Sequence, residues 1–138
     1  MGARARAAKS LTALTLVTTG VLCGCGASTP VRTSGHTIHL ILDEYRIRPD
    51  RLSVPPGVLK LEARNLGRLT HNVVVEGRQT DGSGNSADQM GGVSTLHPGQ
   101  AGVSPKLQLS PGHYVLASTL ANQADLGMTA ELIVRARP

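Results

Sequence analysis

From His36 onward, apolar and polar residues alternate with a period of two. Ile38, Leu40 and Leu42 alternate with His39, Ile41 and Asp43, and Leu59, Leu61 and Ala63 with Lys60, Glu62 and Arg64. Leu107 and Leu109 flank Gln108. Tyr114, Leu116 and Ser118 alternate with His113, Val115 and Ala117. Met128, Ala130, Leu132 and Val134 alternate with Thr129, Glu131, Ile133 and Arg135. Successive side chains of a strand point to opposite faces, so each segment predicts a strand with one buried face. His71 to Glu76 (HNVVVE) is more continuously apolar and predicts a central strand. Pro55-Pro56-Gly57, Asn65-Leu66-Gly67, Pro98-Gly99 and Pro111-Gly112 supply turns between these runs. Short strands at this spacing predict an all-β sandwich or barrel. Gly77 to Gly92, rich in Gly, Ser, Asp and Asn, reads as a loop, with a short helix expected near Ser86 to Met90. There is no internal repeat and no long amphipathic helix.

The first residues follow another rule. Arg4, Arg6 and Lys9 precede an apolar stretch from Leu11 to Leu22 that is too short to span a bilayer. A basic segment followed by such a stretch predicts a secretory signal. Leu22-Cys23-Gly24-Cys25 resembles the bacterial lipobox, with Leu22 and Gly24 at the aliphatic and small positions before Cys25. That resemblance implies cleavage before Cys25 and acylation of its thiol. The alternative is an ordinary cleaved signal with two incidental cysteines. The chain is therefore expected to comprise a signal at 1–24, a flexible tether at 25–35 and one domain at 36–138. A chain so acylated is expected on the extracytoplasmic face of the cell membrane, with membrane lipid as its first partner.

Removing the signal changes the charge. The full chain carries +5, but Arg4, Arg6 and Lys9 leave with the signal, so the rest is near +2. No Lys/Arg cluster is present, and Tyr45 and Tyr114 are the only aromatic residues. Nucleic-acid binding calls for a basic stripe and stacking rings, so it is not expected. Without Phe or Trp the core must be built from Leu, Val, Ile and Ala, which bury less area per side chain. Modest stability is expected.

Two stretches carry a family resemblance. EYRIRPDRLSVPPGVLKLEARNLGRLTHNVVVEG, residues 44–77, resembles the N-terminal half of a cupredoxin. LHPGQAGVSPKLQLSPGHYVLASTLANQADLGMTAELIV, residues 96–134, is similar to the C-terminal half, where Pro-Gly-x-Tyr opens the strand to the metal loop and Gly-Met opens the last strand. The resemblance implies a Greek-key β-sandwich of about seven or eight strands. It also implies a type 1 copper site, with an upstream His at His71 and the metal loop's Cys, His and Met at Ser118, Gln123 and Met128. Two of the four ligand types are thus present, and two are replaced.

That replacement matters because a type 1 site holds copper with two imidazoles and a thiolate, plus a weak axial ligand. The two cysteines, Cys23 and Cys25, lie before the domain, so no register supplies the thiolate. A blue-copper electron carrier is excluded on this chemistry. His71 and Met128 remain candidate metal ligands. For each there is a plainer role, His71 as a hydrogen-bonded structural residue and Met128 as core. Ser118 and Gln123 are expected to cap the loop through hydrogen bonds.

Other candidates are weaker. His36 and His39 are three apart on a predicted strand, so they face opposite sides and cannot chelate together. His97 and His113 flank turns and are expected to be exposed. Met90 and His97 could form a loose Cu(I) site. Asp43, Glu44 and Asp50 are interspersed with Arg46, Arg48 and Arg51 and predict a solvated surface with ion pairs. Ser83, in a Gly-rich loop, does not match a nucleophile elbow, so a hydrolytic enzyme is not expected. The reading is a tethered, non-enzymatic binding or accessory module. It would use the loops around His71, the Gly77–Gly92 stretch and residues 119–127 to meet an extracytoplasmic protein partner. The resemblance implies docking at that end. The alternative is weak copper handling through His71 and Met128.

Overall fold

The computed structural model describes residues 29–77 and 89–136, together with Gly2. Residues 1 and 3–28, which include both cysteines, and residues 78–88 and 137–138 lie outside the described residues. The described part contains eleven strands. They are β1 (Val31–Arg32), β2 (Thr37–Asp43), β3 (Arg46–Arg48), β4 (Arg51–Val54), β5 (Gly57–Asn65) and β6 (His71–Gly77). After these come β7 (Gln89–Leu96), β8 (Ala101–Val103), β9 (Leu107–Leu109), β10 (Gly112–Ala117) and β11 (Thr129–Val134). One sheet has the order β1-β4-β11-β10-β6-β7, and the other has β3-β2-β5-β8, with β9 also on β5. The fold is the all-β sandwich expected.

The period-two pattern decides which side chains fill the space between the sheets. Ile38, Leu40 and Leu42 of β2 are buried together with Leu59, Leu61 and Ala63 of β5. From the other sheet come Val73, Val75, Leu116, Ala130, Leu132 and Val134. Burying an aliphatic side chain of this size contributes about 1.5–3 kcal/mol, which is what holds the sheets together. Tyr114, the one aromatic ring in this core, donates its hydroxyl hydrogen to the Ser110 carbonyl at 2.9 Å. It thereby keeps its polar end satisfied at the core's edge.

The strand count exceeds the expected seven or eight because prolines and turns split longer runs. The chain turns at the cis Arg48–Pro49 peptide between β3 and β4. Pro105 separates β8 from β9, since proline offers no N–H to a ladder. Ser104 fills that break. Its N–H donates to the Leu61 carbonyl, and its hydroxyl oxygen accepts from the Leu61 N–H at 2.9 Å. Residues 31–32, within the stretch read as tether, form β1 and pair in parallel with β4. The short helix expected at Ser86 to Met90 is not formed at its described end. Gln89 and Met90 open β7, where β6 provides a neighbouring strand to pair with. Residues 86–88 lie outside the described residues.

Strand direction determines which loops share an end. Ala117 of β10 pairs with Val74 of β6, and Tyr114 pairs with Gly77. The start of β6 at His71 and the end of β10 therefore lie at one end of the sandwich. Gly77 lies at the other, about 20 Å away at the rise of a strand. The Gly77–Gly92 stretch thus leaves from the end opposite His71, a correction to the surface expected from sequence.

Candidate functional site

The two segments that meet at the His71 end are the start of β6 and the loop from Ser118 to Met128. This loop is wound tightly on itself. The Gln123 N–H donates to the Leu120 carbonyl at 2.9 Å, and the Gly127 N–H donates to Ala124 at 3.0 Å. Ala121 and Asn122 both take positive φ, at 41° and 51°. Such conformations are costly for residues with a Cβ, and persist where surrounding bonds hold them. Gly127 has a φ of 102°, a region open to glycine alone at little cost. Closing the loop, the Met128 N–H donates to the Gln123 carbonyl at 3.0 Å and the Ser118 N–H to the Met128 carbonyl at 3.2 Å.

This winding turns Gln123 inward. Its side chain is buried, and its Nε2 donates to the Thr70 carbonyl at 3.0 Å. A carbonyl only accepts, so this bond orients the amide. The Gln123 Oε1 then faces His71 Nδ1 at 2.9 Å and the Ser118 hydroxyl at 2.7 Å. Since Oε1 is an acceptor, His71 Nδ1 carries the hydrogen. His71 Nε2 is left with a lone pair, is buried, and has no hydrogen-bond partner among the described residues. An unsatisfied buried acceptor costs about 1–3 kcal/mol.

Asn72 and Glu44 complete the setting. Asn72 Oδ1 accepts from the Thr119 N–H and from the Ser118 hydroxyl, each at 2.9 Å, and its Nδ2 donates to Thr119 Oγ1 at 2.8 Å. Ser118 has one hydrogen to give, so Asn72 and Gln123 are alternative acceptors for it. Glu44 Oε1 accepts from the Arg68 N–H and, at 3.2 Å, from the Leu69 N–H. That ties the β2–β3 turn to the β5–β6 loop. Gly67 sits between them, where a Cβ would lie 2.8 Å from Glu44 Oε1 and 3.1 Å from His71 Nε2. Asn65 is fully buried and holds the same loop. Its Nδ2 donates to the carbonyls of Leu69 and Leu96, and its Oδ1 accepts from the Gly67 N–H.

The four positions singled out by the resemblance are joined, but not all through their side chains. His71, Ser118 and Gln123 meet through their side chains. Met128 is joined to Ser118 and Gln123 through its backbone, and its side chain is buried in the core cluster. The set offers one imidazole, a hydroxyl, an amide and a thioether. It does not fit a type 1 copper ion, which needs a thiolate and a second imidazole. The amide oxygen of Gln123 also engages the Nδ1 and hydroxyl that would face a bound ion. Among the described residues, no three His, Cys, Asp or Glu side chains group to hold a metal.

The remaining candidates disperse. His36, His39, His97 and His113 are all exposed. His39 lies 3.2 Å from Glu62, its partner on β5, and His113 lies 3.7 Å from Glu131. His97 Nδ1 lies 3.1 Å from the Thr70 hydroxyl. Met90 and His97 sit at opposite ends of β7, about 23 Å apart along an extended strand, so they cannot share a copper ion. Asp43 pairs with Arg48, and Arg51 with Glu131 at 2.8 Å, as expected of a charged surface. Glu44 differs, for its carboxylate bonds backbone rather than an arginine. The hydrogen bond from the Glu44 N–H, then the Arg48 guanidinium, holds the Asp43 carboxyl below its ordinary range. The Arg51 hydrogen bond does the same for Glu131, with His113 assisting.

Sequence reasoning missed Asn72, Glu44 and Asn65. Asn72 directly follows His71, which is a weak signal, and Asn65 stands in the sequence as part of the Asn65-Leu66-Gly67 turn. Nothing in the local pattern distinguishes Glu44 from Asp43.

No protein-family model matches the chain, and no curated protein matches it. Solved structures do. An auracyanin from Roseiflexus castenholzii is 20% identical, with a TM-score of 0.64, over 75% of this chain and 100% of that one. Auracyanin A, a "blue" copper protein from Chloroflexus aurantiacus, is 13% identical, with a TM-score of 0.60, over 76% and 100%. Rusticyanin from Thiobacillus ferrooxidans is 15% identical, with a TM-score of 0.54, over 77% and 82%. These neighbours are cupredoxins, and the domain has a cupredoxin-like fold.

Proposed function

We propose that this cupredoxin-like domain is a non-enzymatic binding or accessory module that has lost its type 1 copper site and is lipid-anchored through Cys25 outside the cytoplasmic membrane. The observation that carries the reading is the Gln123 amide oxygen, bonded to both His71 Nδ1 and the Ser118 hydroxyl. A hydrogen-bonded knot occupies the place where the fold's relatives would direct ligands at copper. What the site end offers instead is a surface. Leu66 and Leu69 of the β5–β6 loop, Leu126 of the 119–127 loop and Tyr45 of the β2–β3 turn are all exposed there. Exposed apolar side chains gathered at one end support docking of a protein partner. A lipid anchor would raise the module's effective concentration toward membrane-bound partners.

Weak copper handling through His71 and Met128 is the second reading, supported by their convergence at one end. It requires the Gln123 amide to swing away from Nδ1. Titration with Cu(I) and Cu(II), followed by metal analysis of the washed protein, separates the two. The accessory reading expects no retained copper and no intense visible band. Retained copper that His71→Ala abolishes would overturn it in favour of copper handling.

A further inference from the structure

At the far end from His71, a cleft of about 800 Å³ opens along the β1–β4–β11 edge. Arg32, Thr33, Ser53, Val54, Pro55 and Arg135 line it. Arg32 pairs with Ser53 across β1–β4, while the Arg135 N–H donates to the Val54 carbonyl on the other flank of β4. Arg32 and Arg135 thus flank one strand on either side. Arg135 Nε donates to the buried Ser53 hydroxyl at 3.1 Å, which anchors that side chain at the cleft. Among the described residues no acid lines the cleft, and neither arginine is ion-paired. Two guanidiniums with no acidic partner among the described residues, beside the apolar Val54 and Pro55, match a phosphate joined to a glycerol backbone. Arginine's planar donor fork suits phosphate oxygens.

We infer that this cleft docks on anionic phospholipid headgroups of the membrane that carries the chain. The inference rests on the lipid-anchored reading above. Arg32 lies seven residues after Cys25, so extended chain places it within about 25 Å of an acylated Cys25. The cleft therefore remains close to headgroups whatever the direction of the tether. Docking there directs the opposite end, with Leu66, Leu69, Leu126 and Tyr45, away from the bilayer. The headgroup contact thereby orients the proposed partner surface outward.

The test uses the processed, acylated chain reconstituted into vesicles of phosphatidylcholine alone or mixed with phosphatidylglycerol. Flotation reports anchoring, and phenylglyoxal modification read by mass spectrometry reports the exposure of each arginine. Two arginines at an anionic surface shift the balance toward contact by about thirtyfold. Arg32 and Arg135 should therefore react roughly tenfold more slowly in the mixed vesicles. High salt should restore their reactivity, and exposed Arg46 and Arg64 should react equally in both vesicles. Flotation with unchanged reactivity of Arg32 and Arg135 overturns the headgroup contact and leaves the anchor standing. Equal protection by inorganic phosphate in phosphatidylcholine vesicles overturns the lipid source in favour of a free anion. Failure to float overturns the anchor and, with it, this inference.

Discussion

The hydroxyl of Ser118 lies 2.7 Å from the side-chain oxygen of Gln123, in line to donate its hydrogen. By resemblance these are the positions of a copper ligand pair, and here they bond each other. Two poor copper ligands make a good neutral hydrogen bond, and burial strengthens it by removing competing water. The loop from Ser118 to Met128 is thus held closed by polar contacts within the protein.

Gln123→Ala should be markedly destabilising. It strips the Thr70 carbonyl of a donor and His71 Nδ1 of its acceptor, while Ser118 can turn to Asn72. Two buried groups left unpaired cost about 2–4 kcal/mol together. Urea unfolding should show the midpoint falling with an unchanged slope. A loss below about 0.5 kcal/mol would mean that water reaches the site freely.

The double substitution Ser118→Cys with Gln123→His restores both missing ligand types beside His71 and Met128. It should bind Cu(II) and develop an intense visible thiolate-to-copper band. Ser118→Cys alone lacks the second imidazole, and Gln123→His alone lacks the thiolate, so neither should develop that band. If the double variant stays colourless, His71 and Met128 do not reach a common ion in this framework.

Gly67→Ala tests the close approach of Glu44 and His71. The added Cβ would lie 2.8 Å from Glu44 Oε1, so the β2–β3 turn and the β5–β6 loop must separate. A loss of about 1–3 kcal/mol is expected from overpacking of this kind. Hydrogen exchange should show the Arg68 and Leu69 amides losing protection first. Uniform loss across all strands would contradict a local clasp.

Acid should weaken the fold through Glu131. Its folded-state pKa is lowered by Arg51, so its contribution is full above the ordinary carboxylate value of 4.5 and is lost as pH falls through the depressed folded value. Asp43 adds in the same direction. The Arg51–Glu131 pair is partly exposed, so its share is expected at about 0.5 kcal/mol or less. Glu131→Gln should flatten the fall in the denaturation midpoint between pH 5 and pH 3 (about that range, from the linkage). An unchanged slope would remove Glu131 as its source.

Much of this protein is legible along one dimension. The alternation of Leu40 with His39 and Ile41, or of Leu132 with Glu131 and Ile133, marks which face of a strand is buried, because the strand period is local geometry. The missing thiolate is equally plain, since a residue absent from the domain cannot be supplied by any register. The order of Pro-Gly-x-Tyr, Gly-Met and His71 was enough to pick out His71, Ser118 and Gln123, whose side chains bond one another, and Met128, which joins them through its backbone.

Tertiary structure decided the rest. Only the pairing of β6 with β10 and β7 shows that Gly77 and Gln89 lie at the end away from His71, and only the wound loop aims Gln123 at Nδ1 rather than at solvent. Glu44 bonds a backbone 24 residues away, while its neighbour Asp43 takes an arginine. Period and composition say which side chains are buried. Which atoms they face depends on chain segments brought together from distant positions, and no local pattern encodes that.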